Sequence, residues 1–221
     1  MNSQNGLEET RNCVRLEKTF AFAVTKGSLI DFETTGLPKI QQEHEVITLG
    51  YLEGNRAAII QRTTKEKLQF YSEIRNILEE LPKPYLAYNA KFERQVMEIE
   101  LGMTPSPQDF IDIMEPWKAK ANSMHPFLKG PKLDELIGEP YDYFREPKIS
   151  GGDIPAIWRD YLATLDERRL RPIMNHCLSD VSRETILHVV YESQIGVNGI
   201  QVPLFGHPIE PVKPAVRSDL K

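Results

Sequence analysis

The chain has 221 residues, 40% hydrophobic and 27% charged, which is enough apolar material for one well-packed domain. Its net charge of -5 argues against a protein that coats nucleic acid by bulk electrostatics, although a site built from carboxylates would itself contribute negative charge. No apolar run approaches the roughly 18 residues of a membrane span, the polar start MNSQNGLEETRNCVRLEK lacks the apolar core of a secretory signal, and Cys13 and Cys177 are too isolated for a zinc or disulfide framework. A cytoplasmic protein with reduced thiols and no membrane partner is the expectation.

Residues 1–17 read as a loosely ordered N-terminal arm. From Phe20 the pattern turns strand-like, in FAFAV and then, past Lys26-Gly27, in SLIDFE. EVITLGYLEG (45–54) and NRAAIIQRTT (55–64) are apolar, β-branched runs on either side of Gly54-Asn55, which predicts a hairpin. Across 65–81, Leu68, Tyr71, Ile74, Ile77, Leu78 and Leu81 recur at helical spacing, and Pro82 and Pro84 stop that helix. PYLAYNA (84–90) reads as a short buried strand, KFERQVMEIELG (91–102) as a helix ended by Gly102, and DFIDIM (109–114) as a further strand. A short helix over 132–139, an irregular stretch rich in Pro, Gly and aromatics, and helices over 153–163 and 166–193 follow. The Pro-rich tail, 194–221, is expected on the surface or on another subunit, where Ile200, Val202, Leu204 and Phe205 would serve a homo-oligomeric contact. This order predicts a single α/β domain over 18–193, a mixed β-sheet flanked by helices.

Asp31 and Glu33 stand in SLIDFETTG. Strand alternation puts Leu29, Asp31 and Glu33 on one face and Ile30 and Phe32 on the other, so two carboxylates project together from an otherwise apolar strand. Like charges held this closely are costly unless a cation sits between them. Asn89 and Glu93 lie at a strand-to-helix junction, where Asn89 also suits a helix N-cap and Glu93 a first-turn acid. Ile173, His176, Asp180 and Leu187 form one stripe of the last helix, either a satisfied buried His–Asp pair or part of a site.

DFETTG resembles the first motif of the DEDD 3′–5′ exonucleases, which have the RNase H-like fold. Tyr88-Asn89-Ala90-Lys91-Phe92-Glu93 resembles their second motif, with Glu93 where Asp is usual, and Asp109 or Asp112 is the substitute third acid. His176-Cys-Leu-Ser-Asp180 resembles the third, in the spacing of a divergent bacterial and archaeal branch whose motif reads His-Asn-x-x-Asp. The resemblance covers roughly residues 20–193. It implies a metal-dependent nuclease in which Asp31, Glu33, Glu93 and Asp180 hold two Mg²⁺ or Mn²⁺ ions, His176 orients or deprotonates the attacking water, and Thr34, Thr35, Gly36, Asn89 and Phe92 receive the substrate. No thiolate is expected at this site to favour zinc.

Stacking on Phe92, Tyr88, Tyr141, Tyr143 and Phe144, with phosphate contacts from Arg145, Lys148, Arg168, Arg169 and Arg171, would suit single-stranded nucleic acid. The same aromatics could be core, and the arginines a solvated helix face. Gly151-Gly152 is either a mobile loop near the site or an ordinary connector. The function expected is a 3′–5′ exonuclease on single-stranded DNA. An RNA-trimming exoribonuclease of the same fold, and a single-strand-binding protein with a degenerate site, are the alternatives.

Overall fold

The computed structural model describes residues 8–10, 12–20, 23–37, 44–124, 132–136 and 149–196. Strands β1 (Glu8–Thr10), β2 (Cys13–Thr19), β3 (Ser28–Thr34), β4 (Val46–Glu53), β5 (Arg56–Arg62), β6 (Tyr85–Ala87) and β7 (Phe110–Asp112) form one sheet in the order β1-β2-β5-β4-β3-β6-β7. The neighbours from β1 to β3 pair antiparallel, while β3, β6 and β7 run parallel. The helices are α1 (Leu68–Glu80), α2 (Ala90–Ile99), α3 (Met114–Met124), α4 (Leu133–Leu136), α5 (Ile154–Thr164) and α6 (Arg171–Gly196). None of the described helices is long and apolar enough to cross a membrane.

The alternation read in SLIDFE is realised in β3, the strand that divides the antiparallel from the parallel half. Ile30 and Phe32 pack with Phe70, Ile74 and Leu78 of α1 and Val96 and Met97 of α2. Leu29, on the other face, packs with Cys177, Leu178 and Val181 of α6. Trp158 and Tyr161 of α5 join Ile173 of α6 over Ile47. The hairpin between β4 and β5 turns at Gly54, whose φ of +56° is the left-handed conformation that favours glycine.

Four expectations need correction. Cys13–Thr19 is a full strand and not part of a loose arm: all seven residues pair with β5, and its inward side chains split between the two cores. FAFAV forms no strand in its described residues. Instead Phe20 N–H donates to Asn55 O at 2.8 Å and Val24 N–H to Gly54 O at 2.8 Å, so this segment wraps the hairpin turn. The helix expected over 166–193 starts later, with a 3₁₀ turn at Glu167–Arg169 before α6, because Pro172 is tolerated only in a first turn. Helix α3 was not expected at all; it buries Trp117 against the α6 face. The tail from residue 197, with the proposed subunit contact, lies outside the described residues, as do Tyr141, Tyr143, Phe144, Arg145 and Lys148.

Candidate active site

Gly50 of β4 pairs directly with Asp31. A Cβ on Gly50 would lie 2.5 Å from Cys177 Sγ and 2.9 Å from a methyl of Val181, so α6 rests on bare strand backbone at this point. That close approach brings the His176–Asp180 turn of α6 onto the acids of β3. A bulge follows between Glu33 and Thr34, which bends the strand end into the turn Thr34-Thr35-Gly36. Thr34 Oγ1 donates to Gly36 O at 2.6 Å. Thr35 N–H donates to Glu45 O, and Glu45 N–H to Thr35 Oγ1, both at 2.9 Å. The turn is thereby fixed from two sides.

Three elements deliver the carboxylates. Asp31, partly buried, and Glu33, buried, come from β3; Glu93, buried, comes from the first turn of α2 and accepts from Phe32 N–H. Asp180 comes from α6, where it forms an ion pair with the buried Arg183. His176 Nε2 lies 3.7 Å from Asp180 Oδ2 and 3.9 Å from Glu33 Oε1, beyond hydrogen-bond range of both. Sequence reading missed one member. Glu184, one helical turn beyond Asp180, is buried and accepts from Tyr88 N–H at 3.3 Å, which ties α6 to the β6–α2 junction. The spacing His176, Asp180, Glu184 extends the same stripe, and that was the available signal.

These acids raise one another's pKa. Burial, with the neighbouring Asp180 charge, pushes the Asp31 carboxyl up to about 7, although a hydrogen bond from Cys177 opposes this. Glu33, Glu93 and Glu184 are likewise held well above the carboxylate range, by burial first and then by Asp31. Oδ2 of Asp31, Oε1 of Glu33 and Oε2 of Glu93 are buried without a hydrogen-bond partner. Buried anionic oxygens left open in this way fit a bound cation, and the donor set is dominated by oxygen, as hard divalent ions require. Ligand atoms of Glu33, His176 and Asp180 lie within 4.8 Å of one another. So do ligand atoms of Asp31, Glu33 and Cys177, which corrects the expectation that no thiol belongs to the site.

The site opens into a cleft of about 810 Å³, lined by Glu33, His176 and Asp180, by Thr34, Thr35 and Gly36, and by Leu37 and Phe92. The Gly151-Gly152 turn borders it as well. Asn89 does not. It is exposed, sits in the left-handed conformation (φ 68°) and makes no side-chain cap. The carboxylate of Asp112 caps α2 instead, accepting from Asn89 and Ala90 N–H at 3.1 Å each and from Met114 N–H at 2.9 Å. Asp109 pairs with Lys83 at 2.9 Å on the surface. Both substitutes for Glu93 are therefore engaged elsewhere. Among the described residues the cleft's lysine and arginines are Lys132, Arg159 and Arg183, and not the expected Arg168, Arg169 and Arg171. Arg168 and Arg169 pair with Asp166 and Asp160 on the surface.

Among known families, the profile of RNase_H_2, of the RNase H superfamily, matches residues 29–191, from the first acidic strand to the end of the α6 stripe. The chain belongs to the RNase H superfamily. Membership carries nuclease-type chemistry on a nucleic-acid substrate, and the mixed sheet flanked by helices agrees with it. Comparison with curated proteins and with solved structures gives no match.

Proposed function

We propose that this RNase H-like chain is a metal-dependent 3′–5′ exonuclease of the DEDD type that degrades single-stranded DNA. The observation that carries the reading is the set of open, buried carboxylate oxygens on Asp31, Glu33 and Glu93, of which Glu33 lines a cleft together with Asp180 and His176. Asp31, Glu33, Glu93 and Asp180 would hold two Mg²⁺ or Mn²⁺ ions. When bound, such a pair supplies Lewis acidity, lowering the pKa of a water near the phosphorus and neutralising charge on the departing 3′ oxygen.

The remaining work belongs to the chain's own groups. His176, at the cleft wall between Glu33 and Asp180, takes the proton of the attacking water or orients it. The fixed turn Thr34-Thr35-Gly36 offers backbone groups to a terminal nucleotide, and Phe92 and Leu37 offer apolar surface to its base. Lys132 and Arg159 supply phosphate contacts along the cleft wall. A terminal nucleotide seated against this turn needs a free 3′ end, and the preference for DNA over RNA comes with the family resemblance.

The test is digestion of end-labelled single- and double-stranded DNA and RNA with Mg²⁺, Mn²⁺ or EDTA. Progressive shortening of 5′-labelled single-stranded DNA, abolished by EDTA, is expected, with circular single strands resistant. Rapid nicking of the circle would make the protein an endonuclease, and degradation of RNA alone an exoribonuclease. Glu93→Gln should lose activity that raised Mn²⁺ partly restores, whereas Glu93→Asp should be tolerated.

A further inference from the structure

Cys177 has no part in the reading above, yet it sits at the centre of the acidic site. The residue is fully buried, and its thiol donates to Asp31. Its Sγ lies over the bare backbone of Gly50, where an added Cβ would come within 2.5 Å of it. Sγ and carboxylate oxygens of Asp31 and Glu33 lie within 4.8 Å of one another. A tetrahedral ion with sulfur at about 2.3 Å and oxygens at about 2.1 Å needs its ligands only somewhat closer than that. Only 7% of Glu33 is exposed, and its Oε1 is buried with no hydrogen-bond partner. The group therefore has an open donor aimed inward, independent of the cysteine.

We propose that Asp31, Glu33 and Cys177 form a site for a thiophilic divalent cation of the Zn²⁺ or Cd²⁺ class, with Cys177 Sγ as the third ligand. This rests on the same carboxylates as the nuclease reading, and it makes such ions competitors of Mg²⁺ for the site. Mg²⁺ takes oxygen ligands and leaves the thiol protonated, whereas a soft ion binds the thiolate and releases the thiol proton to solvent. Two of the three ligands are then withdrawn from the oxygen-bound ions, so occupancy inhibits.

Titration of the reduced, EDTA-treated full chain with Cd²⁺, followed by ultraviolet thiolate-to-Cd²⁺ charge-transfer absorption, tests this. Cys13, on the opposite core and donating to Glu73 at 3.3 Å, is removed as Cys13→Ser to leave one thiol. The band is expected in wild type and in Cys13→Ser, weakened in Asp31→Asn and absent in Cys177→Ser. Inhibition of Cys177→Ala should need on the order of tenfold more Cd²⁺. No band in Cys13→Ser at saturating Cd²⁺, or an undiminished band in Cys177→Ser, overturns the proposal. The absorption requires no turnover: a band without nuclease activity supports the thiol ligand and rejects the nuclease, while activity without a band does the reverse.

Discussion

Arg62 is as thoroughly buried as Glu93, yet the fold treats the two charges in opposite ways. The Arg62 guanidinium pairs with Glu45 and lies 4.9 Å from the centre of the Trp158 ring, while Lys67 Nζ approaches the same carboxylate at 3.5 Å. Burial pushes the Glu45 carboxyl up, but its bond to Arg62 and the charges of Arg62 and Lys67 bring it below its ordinary value. The acidic site has no comparable neutralisation. Arg183 pairs with Asp180, and its charge only partly offsets the raised pKa of Asp31 and Glu184, so Asp31, Glu33, Glu93 and Glu184 still raise one another's pKa. Nε and Nη1 of Arg62 are also buried without a hydrogen-bond partner, but that cation has an opposite charge in contact, whereas the open oxygens of Asp31, Glu33 and Glu93 face mainly like charges. Stability is given up at the second site, and a cation or a proton restores it.

The widest separation of the two regions should come from Asp31→Asn. Hydrolysis should fall by roughly 10³-fold or more if the proposed metal ligand is lost. Single-strand binding, read by fluorescence anisotropy, should change little. An unchanged rate would move the active site elsewhere. Arg62→Met makes the converse cut. It removes the counter-charge of the half-buried Glu45 and the contact with Trp158, and should cost about 3 kcal/mol in urea unfolding. The variant that remains folded should keep most of its activity, since Arg62 touches the substrate turn only through Glu45.

The pH dependence follows from the open site. Asp31 titrates near 7 when folded and near its ordinary 3.8 when unfolded, so the folded state holds the proton more tightly between those values. That stability is complete below the unfolded value and is lost as pH rises through about 7. In EDTA the melting temperature should therefore fall from about pH 6 to about pH 8, and Mg²⁺ should offset the loss most strongly at the alkaline end. A metal-free protein that gains stability over this range would contradict the open-carboxylate account. The smallest effect belongs to Asp112→Ala, which removes the α2 cap for about 1 kcal/mol and should leave the metal requirement unaltered. A loss of activity in Asp112→Ala that Glu93→Gln does not show would make Asp112 the third acid after all.

Local pattern made much of this legible. The period-two alternation of SLIDFE assigned Asp31 and Glu33 to one face, and period-3.6 spacing put His176 and Asp180 on one stripe, because side-chain direction in a regular element depends only on position along it. The junction pattern favours Glu93 as the third acid, with Asp109 or Asp112 as the substitute. The structure adds which acids already have partners: Asp112 spends its carboxylate on three backbone amides, two at the start of α2 and one at the start of α3. Glu184 carried the right spacing but no motif.

The sequence by itself determined the fold class, the elements from β3 to β7 and the strand and helix faces that carry the acids, since these follow from hydrophobic periodicity and turn chemistry. Only the tertiary structure decided which distant groups meet. Gly50 has no sequence signal for function, yet its missing side chain lets α6 settle on β4 and carries Cys177 to Asp31. The strand status of Cys13–Thr19 likewise depended on pairing with β5, from Cys13 with Arg62 to Thr19 with Arg56, a partner far away along the chain. Contacts of that range are set by packing and by the exclusion of water from the sheet faces, which no local window of residues contains.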